Sequence, residues 1–313
     1  MLRQQNLVHR LLIDTVSEFE TKTQKKQRQQ MTSVLFYNVF MRHESLFQDK
    51  QQERVQKIVE NLPKSIGVLV CIELFDHHCQ ELFTKQLKDK GFHYRTKSYE
   101  GVRPITRVLQ RLKQSKYHHG SGIIIFSKYR IVSEAFHAFS PVTKFAYEKY
   151  AHKGVVAAKI ELPNRIACVC GTHLHSITWT CFNSYREKQW EECMSFLRSL
   201  PISWDEDVVI IGGDMNQDLR TAQSLIDGAL ETGLSLCKIH GVSLDPENPL
   251  VGTELGKNML LKTICKCLFI RRGLLLDYVF SNQEGGRAQI QKMQNSSDHY
   301  AVEFELFSQI SKK

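Results

Sequence analysis

The sequence contains no apolar run near the ~20 residues that a membrane-spanning helix needs, which excludes a helical membrane anchor as the organising feature. Its first thirty residues, MLRQQNLVHRLLIDTVSEFETKTQKKQRQQ, lack both the apolar core and the small-residue cleavage site of a secretory signal. A cytoplasmic protein, a peripheral membrane protein or one exported without a cleaved signal is therefore expected. No C-x2-C pair occurs, so a structural zinc knuckle is not expected. There is no short-period repeat. The nine cysteines are an odd number, and several lie within apolar runs such as 166–170, where a thiol acts as a small buried hydrophobe. Reduced thiols are expected, although the count leaves one or two bridges open. An acidic surplus is also missing: the formal charge is +9 and the pI about 9.0, which favours phosphate-rich partners, nucleic acid or an anionic membrane, without choosing between them.

Hydrophobic residues make up 42% of the 313, enough for an ample core without staples. Residues 1–32 read as an N-terminal extension ending in a polar linker over Thr21–Gln30, and 33–313 as one catalytic domain. Within it, Val34–Phe40 reads as a strand, Asp49–Leu62 as a helix stopped by Pro63, and Gly67–Glu73 as a strand covered on both faces. A helix over His77–Lys90 ends at Gly91. A basic helix is expected from Pro104 to Lys116, with Ile105, Val108, Leu109 and Leu112 on one face. Strands follow at Gly122–Ser127, Val155–Leu162 and Ile166–Leu174, the last two joined by the turn signal Pro163-Asn164. Ser184–Leu200 is helical, and Asp207–Gly212, Leu274–Ser281 and Tyr300–Phe307 complete the strands. Hairpins mixed with crossovers give an α/β class with mixed sheets.

The informative polar residues close apolar strands, where an α/β sheet presents side chains to a cleft. Asn38 lies near the end of the first strand; Glu73 ends Val70-Cys71-Ile72-Glu73; His173 ends Gly171-Thr172-His173. Asp214 and Asn216 follow Gly212-Gly213, Asp277 stands in Leu276-Asp277-Tyr278, and Asp298-His299 precedes the final strand. Together they supply hard oxygen ligands for Mg2+ or Mn2+ rather than zinc, two imidazoles for proton handling and amides for phosphate. Phosphodiester hydrolysis needs that inventory: a Lewis acid, an activated water and neutralisation of developing charge.

In this order and wording the segments resemble the endonuclease/exonuclease/phosphatase superfamily over roughly residues 33–307. The resemblance implies a DNase I-like, four-layer α/β/β/α sandwich with two mixed β-sheets and the site between its halves. It also implies roles. Glu73 would hold the metal, with Asn38 beside it and Asp298 close by; His299 would be the general base, oriented by Asp277. Asp214 and Asn216 would position the attacking water and phosphate, and His173 would be the second histidine, acting on the transition state or the leaving oxygen.

Within the superfamily the chain is most similar to the neutral sphingomyelinase and bacterial sphingomyelinase C branch. The likeness rests on Glu73-Leu74-Phe75-Asp76, on Gly120–Lys128, on His152-Lys153-Gly154-Val155 and on Arg186 with Gln189. It implies a sphingomyelin phosphodiesterase releasing phosphocholine and ceramide at a membrane surface, acting as a monomer. The chain departs from the branch in having no acidic residue just after His173-Leu174, and only about twenty residues between Asp277 and Asp298, too few for the long membrane-dipping hairpin of the bacterial enzymes. The mixed apolar and basic run Leu260–Arg272, with Leu268 and Phe269, is the candidate replacement, and Phe75 a candidate substrate contact. The alternatives are a DNA- or RNA-directed nuclease or a tyrosyl-DNA phosphodiesterase-like enzyme on the same fold, and a catalytically dead binding module.

Overall fold

The computed structural model describes residues 32–42, 50–99, 120–140, 151–176, 182–251, 273–293 and 296–306. The N-terminal extension, the basic helix at 104–116 and the Leu260–Arg272 run with Leu268 and Phe269 lie outside the described residues.

Two six-stranded sheets face each other. Strands β1 (Thr32–Met41), β2 (Ile66–Leu74), β3 (Tyr94–Arg95), β4 (Ile124–Ser127), β11 (Ala288–Gln291) and β12 (Ala301–Leu306) form one, in the order β11-β12-β1-β2-β4-β3. The other runs β5-β6-β7-β8-β10-β9 and is built from β5 (Ile131–Ala138), β6 (Gly154–Leu162), β7 (Arg165–His173), β8 (Val208–Asp214), β9 (Ser235–Leu236) and β10 (Asp277–Ser281). The centre of each is a parallel pair, β1 with β2 and β7 with β8, and every other pairing is antiparallel. Parallel neighbours need a crossover. Helix α1 (Gln51–Glu60) lies on the first, and α3 (Asn183–Ser199) on the second.

The layers follow from which residues each strand turns inward. Val34, Phe36, Val68, Val70 and Ile72 meet Val156, Ala158, Val169, Ile210 and Val279 between the sheets. The alternate residues Leu35, Tyr37, Leu69 and Cys71 turn outward against α1 and α2 (His77–Lys88) through Val55, Ile58, Phe83 and Leu87. On the far side Cys168, Cys170, Val209 and Ile211 pack on Trp190, Met194 and Leu197 of α3 and on Leu225 and Ala229 of α4 (Gln223–Leu230). The result is the expected α/β/β/α sandwich. With both faces of the central strands covered, all ten residues of β1 are buried, so its sequence reads as a continuous apolar run instead of an alternation.

The 122–127 and 274–281 strands are shorter than expected, starting at Ile124 and Asp277. The sequence reading did not include β3, β5, β9, β11 or α4. All four strands are at or next to sheet edges, and β5 is only half-buried along its length, so its apolar pattern is diluted by Ser133, Glu134 and His137. Pro163-Asn164 does close the β6–β7 hairpin, in which Leu162 pairs with Arg165. Cysteines 71, 79, 168, 170, 193 and 237 are buried free thiols, as expected of reduced cysteines; Cys181, Cys265 and Cys267 lie outside the described residues.

Candidate active site

Each central parallel pair ends in two of the candidate residues: Asn38 and Glu73 from β1 and β2, His173 and Asp214 from β7 and β8. His173 and Asp214 are register partners, and Asp214 is paired in turn with Asp277 at the start of β10. The β12 approach adds Asp298 and His299. Among the described residues, all eight expected catalytic and metal-site residues converge at one end of the sandwich, at the mouth between the sheets.

The contacts are direct. Asn38 Nδ2 donates to Glu73 Oε1 at 3.1 Å and to Asp214 Oδ2 at 3.0 Å, tying the two sheets together. His299 Nδ1 stands 2.6 Å from Asp277 Oδ2, and its Nε2 lies 3.9 Å from Asp214 Oδ2. His173 Nε2 is 3.5 Å from Glu73 and 3.8 Å from Asp214. The Asn216 backbone N–H donates to Asp214 Oδ1 at 2.9 Å, while its side chain donates to Leu174 O at 3.3 Å.

Two of these residues hold unusual backbone. Glu73 (φ 57°) and Asn216 (φ 50°) lie in the left-handed region, where a residue with a side chain is strained. Phe40, two residues after Asn38, shares that conformation (φ 53°) and marks a slip of the β1–β2 register between Asn38 and Met41. The slip turns Asn38 toward the cleft, and its Oδ1 accepts from the Phe40 N–H at 3.1 Å. Gly213 has φ 142°, and a Cβ there would sit 2.1 Å from Thr172 O, so only glycine brings Asp214 this close to β7.

Burial and crowding set the charge states. Burial, then the Asp298 carboxylate, push Glu73 up; burial, then Asp277, raise Asp214 to about 7. Burial also raises Asp298, against the pull of His299 and Arg54. For His299 burial acts downward, but Asp277 and Asp214 outweigh it and hold the imidazole well above its usual range. His173 goes the other way: burial first, then the Lys153 ammonium and His299, drive it well below. Three buried carboxylates, Asp214, Asp277 and Asp298, and the partly buried Glu73 form a donor set rich in negative charge, and a hard divalent cation fits it. Among the described residues two sets of possible ligand atoms, Glu73–His173–Asp214 and Asp214–Asp277–His299, each lie within 4.8 Å internally, with Asp214 common to both. Asn38 presents its amide nitrogen to the Glu73 and Asp214 carboxylates, and Asp298 acts on Glu73 through charge without belonging to either compact group.

Some neighbours were not among the expected site residues. Lys153 is buried with its Nζ 3.2 Å from His173 Nε2 and 2.8 Å from Leu174 O. The segment His152-Lys153-Gly154-Val155, which carries part of the likeness to the sphingomyelinase branch, was the available signal. Ser297 Oγ donates to Asn38 O at 2.6 Å, and Ser243 Oγ accepts from the N–H groups of Leu276 and Asp277, both at 3.0 Å. Asp76, quoted above for its likeness to a sphingomyelinase segment, caps α2 by accepting from the Cys79 N–H at 2.9 Å. Phe75 packs its ring against Gly122, where a Cβ would be 2.4 Å away. Just after His173-Leu174, His175 stacks on Phe182 and Tyr185.

No protein-family model matches the chain. Phospholipase C of Staphylococcus aureus is 24% identical over 223 residues, covering 69% of this chain and 66% of that protein. Sphingomyelinase C 2 of Leptospira interrogans is 27% identical over 192 residues, 58% of this chain and 30% of that protein. The chain thus spans just under two thirds of the first of these relatives. Among solved structures, sphingomyelinase C from Streptomyces griseocarneus superposes with a TM-score of 0.68 at 19% identity, covering 88% of this chain and 99% of that one. A beta toxin from Staphylococcus aureus with bound magnesium ions gives 0.68 at 20% identity, with coverage of 88% and 99%. The TDP2 of D. rerio, complexed with a single-strand DNA product, gives 0.58 at 14% identity, with coverage of 88% and 98%. The chain has the DNase I-like fold of the endonuclease/exonuclease/phosphatase superfamily and resembles that superfamily's sphingomyelinase C branch in sequence.

Proposed function

We propose that this chain is a magnesium-dependent phosphodiesterase that hydrolyses sphingomyelin to phosphocholine and ceramide. The observation that carries the reading is the convergence of the Asp277–His299 pair with Glu73, Asp214 and His173 at one cleft. The similarity to a phospholipase C and a sphingomyelinase C supports the substrate class. A divalent cation supplies charge stabilisation at a phosphoryl oxygen when bound. Glu73, Asn38 and Asp298 are the residues proposed to hold it, with the Asp214 carboxylate within reach of the same groups.

The protein's own groups then divide the work. Asp277 accepts from His299 Nδ1, which fixes the tautomer and leaves Nε2 facing the cleft to take a proton from the attacking water. The Asp277 and Asp214 carboxylates favour the protonated imidazole, and a cation held by the neighbouring acids would supply positive charge that offsets them. Asp214 and Asn216 orient the water and the phosphate. His173, held neutral by burial, has its Nε2 3.2 Å from the Lys153 ammonium, and the two together act on the phosphoryl or leaving oxygen. Hydrolysis of bis-p-nitrophenyl phosphate in Mg2+, abolished by chelation and restored by added metal, tests the reading; no turnover at any metal concentration would leave a binding module.

A second reading is a nucleic-acid phosphodiesterase, favoured by the net charge of +9 and by the fold shared with the DNA-complexed TDP2. Among the described residues no helix is long and apolar enough to cross a membrane.

A further inference from the structure

Helix α1 places a charged side chain where none is expected. Arg54 is only 3% exposed, and its guanidinium bonds to carbonyls from two remote segments. Nη2 donates to Val39 O at 2.6 Å and to Phe40 O at 3.0 Å; Nε donates to Ser296 O at 2.9 Å. Val39 and Phe40 form the backbone slip that directs Asn38 into the cleft. Ser296 opens the segment that carries Ser297, Asp298 and His299. Arg54 therefore spans the two strand ends that supply Asn38 and Asp298, and Ser297 Oγ repeats the link by donating to Asn38 O.

We infer that Arg54 is a positioning residue for cation binding: it locks Asn38 and Asp298 into one ligand geometry. This inference rests on the metal-dependent reading above. A planar guanidinium holds carbonyls in fixed directions that a lysine ammonium does not reproduce. Bonds that orient metal ligands commonly govern affinity by 10- to 100-fold.

The test is Mg2+ titration by calorimetry on the full chain, with wild type, Arg54→Lys, Arg54→Met and Ser297→Ala side by side and Glu73→Gln as the ligand-loss control. Arg54→Lys is expected to weaken Mg2+ binding ~10-fold or more, and Ser297→Ala by a smaller factor in the same direction. Guanidinium added at millimolar concentration should restore part of the affinity to Arg54→Met. At saturating Mg2+, turnover of a soluble phosphodiester by Arg54→Lys should return to within a few-fold of wild type, because the base and its aspartate are untouched. If Arg54→Met does not fold, Arg54→Lys and Ser297→Ala decide the matter, since both retain the packing. A lowered melting temperature with unchanged Mg2+ affinity in the folded variants would overturn the positioning role and leave a purely structural arginine. A wild type that binds no Mg2+ would overturn both this inference and the metal-dependent reading.

Discussion

Asp277 Oδ2 and His299 Nδ1 lie 2.6 Å apart, contributed by two strands that begin in different sheets. Asp277 starts β10 in register with Asp214, and His299 stands just ahead of β12, so the pair bridges the mouth of the sandwich. Its partner groups are fixed from behind: Ser243 Oγ accepts from the Asp277 N–H, and Asn248 Nδ2 donates to the carbonyls of Ser297 and Asp298 at 2.9 and 3.0 Å.

The pair should carry proton transfer. His299→Ala is expected to reduce turnover ~10²-fold or more, the usual scale of a positioned general base. Asp277→Asn should act in the same direction, because it withdraws the charge that supports the imidazolium and the acceptor that sets its tautomer. Circular dichroism should show both variants folded. Near-wild-type rates in His299→Ala at neutral pH would remove it from the mechanism.

Glu73 combines strain, burial and a proposed metal-binding role, so its removal should separate stability from function. Glu73→Gln removes a carboxyl that burial first, and then the Asp298 carboxylate, hold above its normal range. The metal-free variant should melt no lower than wild type, yet lose most of the Mg2+-induced rise in melting temperature. A full magnesium response would mean that Glu73 is not a ligand.

The same crowding fixes a pH dependence. Asp214, raised from 3.8 to about 7, keeps its proton in the folded state at pH values where the unfolded chain has released it. Glu73, Asp298 and His299 are shifted in the same sense, so their contributions to metal-free stability decline as pH rises. His173, shifted downward, works against them, its contribution growing as pH rises toward 6.5. Mg2+ competes with the carboxylate protons. Its stabilisation of the protein should be greater at pH 8 than at pH 5.5, read as the shift in melting temperature on adding metal; an equal or larger shift at pH 5.5 would contradict the proposed ligand set.

Glycine 213 should be irreplaceable. Gly213→Ala adds left-handed strain and a Cβ 2.1 Å from Thr172 O, together on the order of 3 kcal/mol, and it displaces Asp214. Gly285→Ala, at φ 69° with nothing within 4 Å, should cost only about 1 kcal/mol and leave activity intact. Thermal unfolding and turnover of the two variants provide the comparison.

The polar residues that close buried strands were legible in the sequence because a carboxylate or imidazole interrupting an apolar run has few other places to go. The α/β/β/α layering was legible from family wording and from the doubly covered strands β1 and β2. Edge strands such as β5 were not, since half-exposed positions tolerate polar residues. Nor was Arg54: its partners are carbonyls, Ser296 among them 242 residues away, and a backbone acceptor has no sequence signature. The left-handed Glu73 and Asn216 were hidden for a related reason, because neither is the glycine that usually marks such a turn.

The central claim is best tested by one parallel assay in Mg2+ on sphingomyelin vesicles, phosphatidylcholine vesicles, plasmid DNA and RNA. The account predicts phosphocholine release from sphingomyelin faster than any cleavage of DNA or RNA, with that release reduced ~10²-fold or more in His299→Ala. Nicking of plasmid or degradation of RNA without lipid turnover would contradict it and assign this site to nucleic acid.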